Sequence, residues 1–414
     1  MDDRECSVAE ARAAITARLQ PLDDPQTVTL TQALGRVLAA DIVSPIDVPA
    51  HDNSAMDGYA LSGTDLQNDR PTELQVVGTA LAGHPWDGQL AAGQALRVMT
   101  GAVLPAGLDT VVPHEKCHVD SGRLRIEAGT VKPGDNRRQR GEDLSAGQPA
   151  LTAGRTLRPA DLGLIASLGI GQVTVQRRLR VALFSTGDEL RDLGQPLDAG
   201  CIHDSNRYSL MGALQRLGLD VVDLGVVPDQ AQALEATLRA AMAQADVVLT
   251  SGGVSVGDAD HTRALLARLG EVAFWKLALR PGRPLAFGTL KRDGAAPPIW
   301  LFALPGNPVA ALVAFYAFVR DALLQLAGAA PQALPKLQAR CVSTIRKRPG
   351  RTEYQRGIVE PDAAGGWQVR LTGPQGSGVL NSMSRANALL VLGPAQGAVP
   401  AGGMVDVLLF DGLV

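Results

Sequence analysis

Between Arg180 and Leu326, short apolar runs alternate with helix-period segments, and this alternation constrains the chain more than any other feature. Strands are expected at 181–184, 220–227, 247–249, 272–277, 285–288 and 299–303. Helices are expected at 209–217, 231–244, 262–269 and 309–326. The strands read as near-continuous apolar runs, the pattern of strands covered on both faces. The expected unit is a mostly parallel three-layer α/β domain. Ligands of such sheets sit outside the carboxyl ends of the strands. Polar and glycine-rich clusters follow the strands there, at 185–189, 251–260 and 305–308.

The flanks have a different texture. Residues 8–19 and 30–40 read as helices, the second capped by Thr29 or Thr31. Short β-like runs at 74–77, 95–99, 110–113 and 124–127 are separated by Gly and Pro turns. A helix is expected at 159–168, with Pro159 in its first turn. Pro331 and Pro335 mark a linker, and runs at 337–342, 353–359, 367–371, 388–392 and 405–409 predict a small all-β terminal domain. The expected division is an N-terminal linker domain of residues 1–50 and 145–178, a small β domain of 51–144, an α/β domain of 179–328 and a C-terminal β domain of 329–414. A chain of 414 residues has room for about two to four domains.

Composition narrows the class. Hydrophobic residues make up 46% of the chain, enough for real cores and against wholesale disorder. A formal net charge of −3 argues against nucleic-acid and membrane-surface partners. The uncharged run 299–319 is interrupted at 305–308, and 309–319 alone is too short to span a bilayer. Residues 1–10 show no apolar targeting core, and four scattered cysteines without a CxxC pair suit a reducing compartment, so a cytoplasmic protein is expected. His114, Cys117 and His118 lie close together, but a zinc site needs a fourth ligand, and an ordinary surface loop accounts for them better.

The chemistry is expected at the sheet edge. In Thr250-Ser-Gly-Gly-Val-Ser-Val-Gly-Asp-Ala-Asp260, glycines let backbone N–H groups approach an oxyanion, and the following helix N-terminus adds partial positive charge. The competing reading is a tight turn in which Asp258 or Asp260 caps that helix. Phe184-Ser-Thr-Gly-Asp-Glu-Leu190 places two carboxylates at another strand end; taken alone they read as solvated turn residues, and only the convergence of three loops on one edge favours a site. Pro305-Gly-Asn-Pro308 is a rigid turn on the same edge. Lys276, followed by Arg280-Pro-Gly-Arg-Pro284, adds cations suited to phosphate-like oxygens. Carboxylates beside an anion site are awkward unless a hard divalent cation joins them. Mg²⁺ with a nucleotide or phosphate ester is the expectation that the residues alone support.

Several segments, taken in order, resemble the molybdopterin molybdenumtransferase (MoeA) family, which is related to the E domain of gephyrin. They are Asn53-Ser-Ala-Met-Asp-Gly-Tyr-Ala60, Met99-Thr-Gly-Ala102, Gly141-Glu-Asp143, Ser185-Thr-Gly-Asp-Glu-Leu190 and Ser251-Gly-Gly-Val-Ser-Val-Gly257. Asp260, Phe274-Trp-Lys276, Leu304-Pro-Gly-Asn-Pro308 and Gln375-Gly-Ser377 continue the series. The resemblance implies that adenylylated molybdopterin and molybdate yield molybdenum cofactor and AMP, with the substrate's dithiolene ligating molybdenum. It implies a homodimer whose site combines domains of both subunits. Contacts with the preceding adenylyltransferase and with proteins delivering cofactor to molybdoenzymes would follow.

Carried over to this chain, the resemblance implies catalytic Asp57, Asp143, Glu189, Asp229, Asp260 and Lys276. Glu189, Asp229 and Asp260, each expected in a loop after a strand of the same sheet, are the expected Mg²⁺ ligands. It implies substrate contacts from Thr100, Ser251, Gly252, Gly253, Ser255, Gly257, Arg280, Pro305, Gly306, Asn307, Arg351 and Ser377. One departure stands out: Arg280 and Arg283 occupy positions where the family commonly has lysine. The adenylyltransferase, whose α/β domain shares the Ser-Gly-Gly pattern, is the second enzyme reading, and a non-catalytic cofactor-binding scaffold is the third.

Overall fold

The computed structural model describes residues 5–253, 259–292 and 297–413, without the side chains of 259–261. The α/β domain follows the expected order: β1 (Arg180–Thr186), α1 (Asn206–Arg216), β2 (Asp220–Val227), α2 (Ala231–Gln244), β3 (Val247–Ser251) and α3 (Ala259–Leu269). Then come β4 (Gly270–Lys276), β5 (Pro284–Leu290), β6 (Ile299–Leu304) and a last helical stretch, α4 (Pro308–Leu326). The sheet order is β2-β1-β3-β6-β5-β4. Pairings β1–β2, β1–β3 and β3–β6 are parallel, whereas β5 runs antiparallel to both β6 and β4. Five of the six strands therefore share a direction and end on one edge.

The helix α4 is uncharged up to Val319 because that stretch is buried on most sides. Val309, Val313 and Leu323 pack with Phe287 and Phe302 of the sheet, and the same cluster takes in Tyr354, Met383 and Leu408 of the C-terminal domain. Removing Phe302, fully buried at the centre, would cost about 3–5 kcal/mol. Pro308 stands in the first turn, where its missing N–H costs nothing. The middle of α4, Phe315–Val319, is a π-helical turn. At 19 residues α4 is longer than the uninterrupted run 309–319, and long and apolar enough to cross a membrane, yet 72% of it lies inside the protein as a core helix.

Two further units flank this core. Pro25–Thr29 pairs antiparallel with Gln172–Gln176, and Ile42–Val43 with Pro149–Leu151, so residues far apart in sequence share one cluster around Leu38, Ile165 and Val175. The helix Val8–Thr16 instead buries Val8, Ala11 and Ile15 in the α/β core. Only Leu30–Gln32 of the expected 30–40 helix is helical, as a single 3₁₀ turn. Gly35 there adopts φ +72, and Val37 and Leu38 bridge to Thr156 and Val175, so tertiary pairing overrides the helical period. Residues between 58 and 126 form a six-stranded sheet with its own core.

In the C-terminal domain, Thr352–Pro361 pairs on one side with Trp367–Leu371 and on the other with Ala388–Leu392, which closes a small barrel through Met404–Leu409 and Leu337–Cys341. Leu279–Arg280, leaving the α/β domain, adds to Thr352–Pro361 in parallel, with Arg280 opposite Glu353. This pairing fixes the carboxyl edge of the α/β sheet against the barrel.

Candidate functional site

Where those two domains meet, a cleft of about 730 Å³ opens. Its floor comes from the strand ends. Thr186 ends β1 and Gly187 follows it, Gly252 and Gly253 follow β3, and Pro305, Gly306 and Asn307 follow β6. Gly252 has φ +94, and a Cβ there would lie 2.2 Å from the Thr186 carbonyl oxygen. Only glycine lets these two strand ends approach so closely. Asn206, at the start of α1, donates through Nδ2 to Ser251 Oγ at 2.7 Å and to the Gly306 carbonyl at 2.6 Å. Ser251 in turn donates to the Pro305 carbonyl at 3.2 Å and is 2% exposed. Ser251 thus ties the loops together from beneath, and its hydroxyl does not line the cleft.

The walls carry charge of both signs. Glu189 and Asp229 line the cleft from the loops after β1 and β2. The Asp229 N–H donates to Asp188 Oδ1 at 3.0 Å, which joins those loops. Opposite stand Arg280 and Arg283, and Arg351 projects from the barrel. Arg280 lies 3.7 Å from the buried carboxylate of Glu353. Arg283 and Arg351 both pair with Glu5, whose carboxyl group is held below its usual range chiefly by the Arg351 hydrogen bond. Gln375, Gly376 and Ser377 complete the wall, and the Ser377 carbonyl accepts from Val309 N–H at the start of α4 at 3.0 Å.

Of the residues expected from sequence, Glu189, Asp229, Gly252, Gly253, Arg280, Pro305, Gly306, Asn307, Arg351 and Ser377 share this cleft. Lys276 ends β4, exposed, with its carbonyl accepting from Cys6 N–H at 2.9 Å; it pairs with Pro284, which does line the cleft. Ser255 and Gly257 lie outside the described residues, as does the side chain of Asp260. Asp57, Thr100 and Asp143 are elsewhere. Asp57 accepts from Thr100 N–H at 2.7 Å and Thr100 Oγ1 at 2.8 Å, bonds that hold its carboxyl below the usual range. It borders a separate cavity of about 290 Å³ with Arg97, His114 and Cys117. Asp143 is exposed on its loop, its N–H donating to the Val48 carbonyl.

Sequence reasoning missed Thr186, Gly187 and Glu5. Thr186 and Gly187 stood inside a quoted motif, but nothing in the order of residues signals that Glu5 reaches Arg283 and Arg351 across more than two hundred positions.

A three-layer α/β domain whose strand ends meet a small barrel over a cleft lined by acids and arginines defines the class of protein: a multidomain α/β protein with a charged interdomain cleft. Three family models match along its length. "MoeA N-terminal region (domain I and II)" matches residues 6–169, "Probable molybdopterin binding domain" matches 182–325, and "MoeA C-terminal region (domain IV)" matches 338–410. A molybdopterin molybdenumtransferase of Haemophilus influenzae is 39% identical over 98% of both chains, and one of a Nostoc species is 38% identical over 95% of this chain and 91% of its own. The crystal structure of a molybdopterin biosynthesis MoeA protein from Pyrococcus horikoshii superposes with TM-score 0.84 at 29% identity, over 98% of this chain and all of that one. The chain belongs to the MoeA family, whose members are enzymes of molybdenum cofactor biosynthesis.

Proposed function

We propose that the chain inserts molybdenum from molybdate into adenylylated molybdopterin and releases AMP. The observation that carries this reading is the interdomain cleft, in which Glu189 and Asp229 face Arg280, Arg283 and Arg351 over Gly252 and Gly253. Molybdate and a nucleotide phosphate are both oxyanions, and guanidinium forks suit their oxygens. The glycine turn at Gly252 and Gly253 brings backbone close to the same space, and Ser255 and Gly257 are further candidates from the same sequence motif. Asn307 and Ser377 offer neutral polar contacts, and Lys276 adds a cation beside Pro284. Molybdenum, as substrate cargo, takes its sulfur ligands from the pterin.

Among the described residues, no three His, Cys, Asp or Glu side chains gather as a metal-holding group. Mg²⁺ needs only one or two carboxylates, completing its shell with water and phosphate oxygens. Glu189 and Asp229 supply that many in the cleft, and Asp260 is the third candidate. When bound there, Mg²⁺ would offset negative charge on the phosphoanhydride. Glu189 and Asp229 would hold it, and the arginines would bind the remaining oxygens.

Asp57, Thr100 and Asp143 serve this reaction from a second copy of the chain, which makes the working unit a cytoplasmic homodimer with a composite site. The adenylyltransferase that makes the substrate and cofactor delivery proteins are its expected partners. The test is incubation of the purified chain with adenylylated molybdopterin. AMP release that requires molybdate supports the reading. Consumption of ATP with molybdopterin would move it to the adenylyltransferase, and neither reaction would leave a binding scaffold.

A further inference from the structure

Arg356 is fully buried, yet no carboxylate is among the acceptors it meets in the described residues. Its Nε donates to Ser382 Oγ at 3.0 Å. Its Nη1 donates to the Gln375 carbonyl at 3.1 Å, and its Nη2 to the carbonyls of Pro374 at 3.3 Å and Gly376 at 3.0 Å. Burial lowers its pKa to about 10, so it stays charged near neutral pH. The loop is clamped a second time: Gln375 Oε1 accepts from Arg356 N–H at 2.8 Å, and Gln375 Nε2 donates to the Arg356 carbonyl at 3.1 Å. A buried charge without an acid partner is expensive, and an apolar side chain would fill the space at lower cost. The arrangement therefore calls for a reason other than packing.

Peptide geometry supplies one. In a trans peptide the C=O and the following N–H point in opposite directions, and the only cis bonds in the described residues are Val48–Pro49 and Arg280–Pro281. Three successive carbonyls turned onto Arg356 turn the N–H groups of Gln375, Gly376 and Ser377 away from it. Those three residues line the cleft, and Arg356 does not.

We infer that Arg356 is a positioning residue: it gathers the carbonyls of Pro374, Gln375 and Gly376 so that the amides on the other side of the same peptides face an oxyanion in the cleft. The inference rests on the oxyanion-handling function proposed above. Successive convergent N–H groups form an anion cradle without any side-chain charge at the point of contact.

The test titrates molybdate into the full-length wild-type chain and into Arg356→Lys, with circular dichroism and thermal melting in parallel. Lysine keeps the charge but lacks the planar fork that holds three carbonyls at once. We expect a folded Arg356→Lys protein with molybdate binding weakened at least tenfold. Wild-type affinity in a folded Arg356→Lys protein would overturn the inference while leaving the proposed function in place. A wild-type chain that binds no molybdate would overturn both. If Arg356→Lys does not fold, Gly376→Pro decides, because it removes one amide donor while the Arg356 side chain is kept. It should bind molybdate at least fivefold more weakly than Gly376→Ala, and equal binding by these two variants would also overturn the inference.

Discussion

Glu5 lays its carboxylate across the guanidinium of Arg351, with Oε2 3.1 Å from Nε and Oε1 2.9 Å from Nη2, and Oε1 also accepts from Arg283. One acid from the N-terminal segment thus neutralises part of the charge of two cleft arginines. The segment is fastened in place, since Cys6 N–H donates to the Lys276 carbonyl and Ala278 N–H to the Cys6 carbonyl. The sign of the pH effect follows. The folded pKa of Glu5 lies below its ordinary 4.5, so its contribution is present above that value and fades as pH falls through the folded pKa. Both arginines are partly exposed, which limits the contribution to about 1 kcal/mol. Urea unfolding of wild type and Glu5→Gln should differ by that amount at pH 7 and converge as pH falls below the lowered pKa of Glu5. A gap that persists in acid would assign the stability difference to something other than the carboxylate.

Gly252 offers a steric prediction. A methyl group there meets the Thr186 carbonyl oxygen at 2.2 Å on a backbone with φ +94. Gly252→Ala should destabilise the chain by about 2–4 kcal/mol. At Gly306 the nearest atom to an added Cβ is 3.9 Å away, and Gly306→Ala should cost less than about 1 kcal/mol. Chemical denaturation of both variants checks the contrast, and equal losses would refute the close approach of the two strand ends.

The separation of Asp57 from Glu189 bears on assembly. Asp57 borders its own cavity with Tyr59 and Arg97, while Glu189 lines the interdomain cleft. If a second subunit brings them together, Asp57→Ala and Glu189→Ala homodimers should each be inactive, and a mixture should recover activity in its heterodimers. Those heterodimers contain one intact composite site out of two, so about half of wild-type turnover per heterodimer is expected from the geometry of a two-fold interface. Purified heterodimers without activity would exclude the shared site.

Much of the α/β domain was legible because local signals and tertiary packing agree there. The limits of β2 and α2 were expected as observed, since a β-branched apolar run and a long amphipathic helix are each distinct in the sequence. The strand-end loops were legible for the same reason, because topology alone sends them to one edge. Residues 30–40 were misread because their apolar spacing serves bridges to Thr156 and Val175 rather than a helix face. Ser251 looked like a ligand contact, but its depth, and Asn206 above it, emerge only when three loops pack together. That Asp57 and Glu189 border separate cavities is a property of tertiary arrangement and left no local trace.

Arg280 and Arg283 give the last prediction. Arg280 stands 3.7 Å from Glu353, and Arg283 pairs with Glu5, so each guanidinium is oriented by an acid before any anion arrives. Lysine at either position keeps a positive charge but presents a compact ammonium without a planar fork. Removing the charge should therefore matter more than changing its shape. Arg280→Ala should lose about 1.5–3 kcal/mol of anion binding, roughly ten- to a hundred-fold in affinity. Arg280→Lys should lose less than about fivefold, within 1 kcal/mol. Titration of molybdate and of AMP into each variant separates the two effects. If Arg280→Lys proves as weak as Arg280→Ala, bidentate geometry rather than charge governs the contact, and the cleft needs the planar fork of arginine to hold its anion.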